Sequence, residues 1–124
     1  MAVVLNHTIV RASDQDGAAK YFADLLGLPV GARTGPFTPV RVNHELTLDF
    51  DERGEVLPSH FGFLVDDDTF DQVLARLRAR PDVPFGSGPE HGWDRTISRV
   101  ASGRGVYVGD PDGHSYEFFT TVPL

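Results

Sequence analysis

Residues 107–121 read YVGDPDGHSYEFFTT. Tyr107 to Asp110 read as a strand entering a turn, and Ser115 to Thr121 as the strand leaving it. In the turn, Pro111 presets φ and Gly113 permits a positive one, which is the chemistry a tight reversal demands. In the middle of the second strand Glu117 stands between Tyr116 and Phe118. A carboxylate buried among aromatics without a partner is strongly disfavoured. The reading of the chain therefore turns on what Glu117 faces.

Working outward, strands are expected near Asp94 to Ala101 and Gly105 to Val108. Before them, SHFGFLVDD from Ser59 is a strand and DDTFDQVLARLRAR a helix. That helix has an acidic first turn, arginines in its last turn, and an apolar stripe of Phe70, Val73, Leu74 and Leu77. Pro81 and Pro84 break it. Earlier still, VVLNHTIVRAS is a strand, and Ser13 or Asp14 caps a helix from about Gly17 to Leu26, ended by Gly27. Strand-like stretches follow at about Phe37 to Asn43 and Glu45 to Asp51, and DERGEVLPS is a polar connector.

The order β-α-β-β(-β) thus occurs twice, in an α+β chain with one module at about 1–53 and the other at about 58–124 of a single domain. Superposing LNHTIV on PSHFGF aligns His7 with His60, and superposing LTLDF on HSYEFF aligns Asp49 with Glu117. Each half carries a His on its opening strand and a carboxylate on its closing strand. Side chains alternate across a strand, so His7 shares a face with Leu5 and Ile9, His60 with Gly62, and Glu117 with Ser115 and Phe119. If the halves pair about a pseudo-twofold axis, two imidazoles and one or two carboxylates converge. Two His and one carboxylate with positions left open suit non-haem Fe(II), and also Zn, Mn, Ni or Co. A divalent cation would then offset the burial of Glu117.

Composition narrows the alternatives. The 124 residues carry 18 acidic and 11 basic side chains, a net charge of −7. With no basic run, neither nucleic acid nor an anionic membrane is an expected partner. No apolar stretch approaches the ~20 residues of a membrane span. MAVVLNHTIV lacks the marks of a signal peptide, so a cytoplasmic location is expected. There is no Cys, hence no thiol nucleophile and no thiolate ligand.

These residues resemble the vicinal oxygen chelate superfamily, which includes glyoxalase I, extradiol dioxygenases, fosfomycin-resistance transferases and bleomycin-resistance proteins. The resemblance rests on VYVGDPDGHSYE, LNHTIV, YFADLLGLPV and SHFGFLV and covers nearly the whole chain. It implies two paired βαβββ modules, a homodimer, a small-molecule substrate and one divalent metal held by His7, His60 and Glu117. It places Tyr107 on the substrate side of the pocket. The glyoxalase-like fourth ligand position holds Asp49, one methylene shorter than Glu, as a ligand, an acceptor orienting a His, or a pocket base. Thr47 shares the face of Asp49. Arg99, Arg95 and Arg104 stand beside the segment that closes over substrate in relatives and could pair an anion. Trp93 offers an aromatic wall. His44, His91 and His114 sit in polar or turn contexts and read as surface residues.

Within the superfamily, extradiol dioxygenases carry an acid–base His shortly before the apolar-Tyr pair. Here that pair is Val106-Tyr107, residues 98–100 are Ser98, Arg99 and Val100, and His91 is too far back. Fosfomycin-resistance transferases carry a Lys before the Tyr, whereas Lys20 is the only Lys in this chain. The resemblance therefore favours a glyoxalase-like lyase or isomerase. An extradiol-type dioxygenase lacking the usual His, and a bleomycin-resistance-like binding protein without catalysis, are the alternatives.

Overall fold

Among the described residues, Asp14 and Asp66 start two α-helices by the same device. Each sits in extended backbone and accepts a main-chain N–H with its carboxylate, from Gly17 and from Thr69 respectively. The helices they open are α1, Gln15–Leu26, and α2, Asp67–Arg78. Gly27 ends α1 in the left-handed region at φ 67°. This computed structural model describes residues 1–100 and 102–122. The chain divides into two compact units, Met1–Leu57 and Pro58–Leu124.

The first unit consists of β1 (His7–Arg11), α1, β2 (Thr38–Arg41) and β3 (Thr47–Asp51), with sheet order β1-β3-β2. β1 runs parallel to β3 and β2 antiparallel to it. Val10, Val40, Leu48 and Phe50 bury one face of this sheet, together with Ala19, Phe22, Ala23 and Leu25 of α1. The Phe22 and Phe50 rings lie 6.2 Å apart. Full burial of such side chains contributes on the order of 2 kcal/mol each. Between α1 and β2, residues 28–37 form only an isolated bridge, Thr34 to Phe37. Pro29, Gly31, Gly35 and Pro36 interrupt a ladder there, so this half runs βαββ.

The second unit consists of β4 (His60–Leu64), α2, β5 (Phe85–Gly86), β6 (Ser98–Val100), β7 (Gly103–Gly109) and β8 (Ser115–Phe119). The sheet order is β4-β8-β7-β5, with β6 also paired to β7. One face buries Val106, Val108, Tyr116, Phe118 and Phe85, and the α2 stripe of Phe70, Val73, Leu74 and Leu77 is buried with them. Stacked rings tie β4 to β8 at 5.4 Å for Phe63–Phe118 and 5.9 Å for Phe61–Tyr116. The turn from β7 to β8 is fastened by Asp110, whose Oδ1 accepts the N–H groups of Asp112 and His114, while Gly113 takes φ 86°. Ala101, at the end of one expected strand, lies outside the described residues. No helix of the described chain is long and apolar enough to cross a membrane.

One buried charge anchors the end of the first sheet. The Asp51 side chain is 0% exposed and accepts from Arg11 at 2.7 Å and from the N–H, Nε and Nη2 of Arg53 at 2.9, 3.0 and 3.0 Å. Hydrogen bonds from Arg53, then the charges of Arg53 and Arg11, hold its carboxyl at about 2 rather than 3.8. Because the folded value is depressed, this stabilisation is fully present above about pH 4 and is lost as pH falls toward 2. Asp51→Asn is therefore expected to unfold at lower denaturant concentration at pH 7. Its deficit against the parent should shrink across that acid window. A deficit independent of pH would contradict the ion-pair account.

Candidate metal centre

Glu117 faces outward from the middle of β8, opposite the buried Tyr116 and Phe118. Its side chain is 17% exposed, and its neighbours on that face are set by strand register. On one side Gly62 of β4 stands level with it and His60 with Ser115; on the other Tyr107 of β7 is level with Glu117. The result is a cluster of three. His60 Nε2 lies 3.0 Å from Glu117 Oε1, and the His60 and Tyr107 rings meet edge-on at 5.7 Å. Tyr107 is also hydrogen-bonded to Glu117. Burial first, then the Glu117 charge and that hydrogen bond, push the Tyr107 hydroxyl above its usual value of 10. It therefore stays protonated, a donor, throughout the physiological range.

Beside this cluster is a cavity of about 390 Å³, bordered by Tyr107, Glu117, Phe119, Ser98, Glu90 and His91. That volume suits a small organic molecule. Trp93 forms part of the same sheet face: a Cβ on Gly109 would meet its Cζ2 at 2.7 Å, so the indole lies directly on the strand.

Two of the three arginines have partners outside the cavity. Arg104 borders the cavity, but its guanidinium reaches Asp71 at 2.7 Å and Asp67 at 2.9 Å on α2 and covers the Phe70 ring at 4.4 Å. It sits three residues before Tyr107, an odd step, and so projects to the opposite face. Arg99 is its cross-strand neighbour and shares that helix-side face. Arg95 donates to the carbonyls of Val83 and Leu77 and lies over Phe85. The guanidinium groups of Arg104 and Arg95 are thus engaged by α2 and by main-chain carbonyls, while Arg99 is exposed.

One histidine also departs from the sequence reading. His114 is no surface residue: it is 2% exposed, accepts the Ser59 N–H through Nδ1 at 3.0 Å, and meets Phe61 edge-on. His91 is exposed but borders the cavity. His44 is exposed in a turn, and its carbonyl accepts from Arg41. Neither β5 nor the short 3-10 turn Pro89–His91 that carries His91 has a periodic signal in sequence.

In the first unit, His7 is level with Thr47 and Ile9 with Asp49, so His7, Thr47 and Asp49 share the face away from the buried core. Asn6 Oδ1 lies 2.9 Å from His7 Nδ1. That oxygen can only accept, so Nδ1 carries the proton and Nε2 the lone pair, the form a metal ligand needs. Thr47 Oγ1 accepts from Arg41 at 3.4 Å. Among the described residues neither unit by itself gathers three His, Asp or Glu side chains at ligand distance. The second unit does bring an imidazole and a carboxylate together, and that donor pair fits a divalent cation.

The sequence model of the Glyoxalase/Bleomycin resistance protein/Dioxygenase superfamily matches residues 4–118, and the chain belongs to that superfamily. Its α+β architecture is that of the vicinal oxygen chelate fold. Members typically use a divalent metal, commonly dimerise and bind small molecules. Among solved structures, the chain is similar to Oxidase ChaP-H2, with 41% identity, a TM-score of 0.87 and coverage of 98% of this chain and 96% of that one. It is similar also to Oxidase ChaP-H1, with 44% identity, a TM-score of 0.86 and 98% of each chain covered. Lactoylglutathione lyase from Agrobacterium tumefaciens shares the fold at 21% identity and a TM-score of 0.70, over 96% of this chain and 92% of that one. No curated protein matches the sequence.

The contact between Tyr107 and Glu117 has a measurable consequence. Glu117→Gln removes the negative charge and leaves the burial, so the Tyr107 titration midpoint should fall toward 10. Ultraviolet difference titration against Tyr107→Phe isolates this residue from the other two tyrosines. An unmoved midpoint would mean that the two side chains do not interact.

Proposed function

We propose that this chain is a metal-dependent oxidase of the superfamily, acting with dioxygen on a small neutral molecule that offers two adjacent oxygens, such as an enediol or a catechol. The oxidative reading is carried by one observation: 41% and 44% identity over 98% of the chain to two proteins named as oxidases, against 21% to the lyase. That contrast favours oxidation over the lyase or isomerase chemistry expected from the sequence motifs.

His60, Glu117 and, from the first unit, His7 are the residues proposed to hold the ion, with Asp49 as a fourth ligand or an acceptor orienting a His. A bound divalent ion would supply Lewis acidity to adjacent substrate oxygens and, as Fe(II), electron transfer to dioxygen. Glu117, whose side chain is only 17% exposed, would offset the cation's charge. Tyr107 keeps its proton, and with Glu117 turned to an ion its hydroxyl would be free to donate to a substrate oxygen on which negative charge gathers. Phe119 gives the cavity an apolar flank, and the commitment of the Arg104 guanidinium to α2 leaves an anionic substrate without that partner. Assembly is proposed to be a homodimer, with His7 supplied by the same chain or by a second copy.

Protein purified without chelator and loaded in turn with Fe(II), Zn(II), Mn(II), Co(II) and Ni(II) tests this reading. Expected are stoichiometric metal, oxygen uptake with catechol or an enediol when Fe(II) is bound, and about 10-fold or more weaker metal binding in Glu117→Gln. Turnover of the glutathione–methylglyoxal hemithioacetal without oxygen uptake would transfer the chain to the lyases. Failure to retain any of these ions would transfer it to the binding proteins.

A further inference from the structure

The loop between β5 and β6 carries three side chains joined in a row. Ser87 Oγ lies 2.8 Å from Asp94 Oδ2 and 3.0 Å from His91 Nδ1. Donor and acceptor chemistry fixes the direction of both contacts. Asp94 also accepts the N–H groups of Ser87 at 2.9 Å and Thr96 at 3.2 Å, and the Ser87 hydroxyl first, then these bonds, hold its carboxyl down at about 2. It is therefore an ionised acceptor, and the Ser87 hydroxyl must spend its one proton on it. What Ser87 offers His91 is a lone pair, so His91 Nδ1 must carry a proton. A neutral imidazole protonated at Nδ1 has its basic lone pair at Nε2, and His91 borders the cavity that Tyr107, Glu117 and Phe119 also border.

The frame around the row is fixed by close approach. A Cβ on Gly86 would meet Gly92 O at 2.7 Å and Asp94 Oδ1 at 2.8 Å, so the loop lies down on the sheet where there is no side chain. Trp93 is seated in the same way on Gly109. Arg95 N donates to Phe85 O at 2.8 Å, and the Arg95 guanidinium fastens the far end of the loop to the carbonyls of Val83 and Leu77.

We propose that His91 is the proton-accepting catalytic residue of this cleft, and that Ser87 and Asp94 are positioning residues that keep its Nε2 unprotonated and available to a substrate hydroxyl. In the step so assigned, a substrate O–H bond breaks, its proton passes to His91 Nε2, and the electron pair stays on the substrate oxygen. The imidazolium then faces the Asp94 carboxylate through Ser87, and its exposure lets the proton pass to water or return to product. The other charged or titratable groups at the cleft are Glu90 next to it in sequence, Tyr107, Glu117 with its partner His60, and Arg104, whose charge is held by Asp67 and Asp71. This assignment deepens the oxidase reading, since an enediol or catechol must lose a proton to bind as a chelating anion, and it rests on that reading for the identity of the substrate.

The test has one readout that needs neither metal nor turnover. Imidazole 15N NMR of the full chain, with His91 assigned through His91→Gln, should show the Nδ1–H form; Ser87→Ala should shift it toward the Nε2–H form. A wild-type Nε2–H form would overturn the proposal. The second readout uses 4-nitrocatechol, whose colour reports its ionisation, bound to the Zn(II)-loaded protein. It should bind to His91→Gln with an affinity within about threefold of the parent, yet remain protonated at a pH where the parent holds its anion. With a substrate from the oxygen-uptake screen, kcat should fall about 100-fold in His91→Gln with KM little changed. Ser87→Ala should be intermediate, and Ser87→Thr should restore activity. Unchanged kcat and probe ionisation in His91→Gln would overturn the assignment whatever the NMR shows. Loss of probe ionisation in a protein that shows no oxygen uptake would sustain the assignment and sink the oxidase reading instead.

Discussion

A carboxylate in the middle of a sheet is tolerable only where strand register brings it partners on its own face. Glu117 meets that condition twice over. The parallel pairing of β4 with β8 sets His60 one row away, and the antiparallel pairing of β7 with β8 sets Tyr107 level with it. A slip of one residue in either ladder would turn Glu117 into the aromatic layer and Phe118 out of it. The packing of Phe118 and Tyr116 against Phe63 and Phe61 therefore does more than fill a core. It holds the register on which the outward-facing His60–Glu117–Tyr107 cluster depends. Gly62 completes the arrangement, because a Cβ there would stand 3.2 Å from the Phe119 ring and 3.9 Å from Glu117 Oε1.

Carboxylates elsewhere in the fold are held by the same logic to different ends. Asp14 and Asp66 satisfy helix N-termini, Asp110 fastens the β7–β8 turn, and Asp51 locks Arg11 and Arg53 at the end of β3. All four are engaged by N–H donors from the protein. Glu117 differs in that its partners are an imidazole and a phenol, groups that also bind metals or move protons. Asp49, two residues before Asp51 on β3, lies on the face shared with His7 and Thr47. The contrast between neighbours separates a structural acid from a candidate functional one: Asp51 has its donors supplied, and Asp49 stands beside a His whose lone pair is oriented by Asn6.

What could be read from the sequence was what is local. The Ser13–Asp14 cap, Gly27, the D-P-D-G reversal, and the acidic first turn and apolar stripe of α2 each act within a few residues of chain, and they placed the helices and the closing hairpin within a residue or two. The faces of His60 and Glu117 were legible for a related reason, since alternation along two strands determines which face each occupies, while Tyr107 was supplied by the family resemblance. The fates of Arg95, Arg99 and Arg104 depended on parity within irregular strands and on partners far away in sequence, such as Asp71 for Arg104. His114 looked like a turn residue because its burial comes from β4 and the Ser59 N–H. The 87–94 loop left no signal at all, because it is shaped by the side-chain space vacated at Gly86 and Gly109 rather than by any period of its own.

Tyr107 and His91 border one cavity in different surroundings. Burial and the nearby Glu117 charge make it hard for Tyr107 to release its proton. The Asp94–Ser87 pair, in the proposed assignment, holds the His91 proton on the nitrogen turned away from substrate and leaves the other nitrogen basic. A substrate with two adjacent oxygens would then meet one group able to donate and one able to accept. Such a division is what asymmetric ionisation of a diol requires: one hydroxyl is deprotonated while the charge that gathers on its neighbour is met by a hydrogen bond. The two groups need not be ligands of any ion for this to hold, because each takes its protonation state from protein contacts already in place on the sheet.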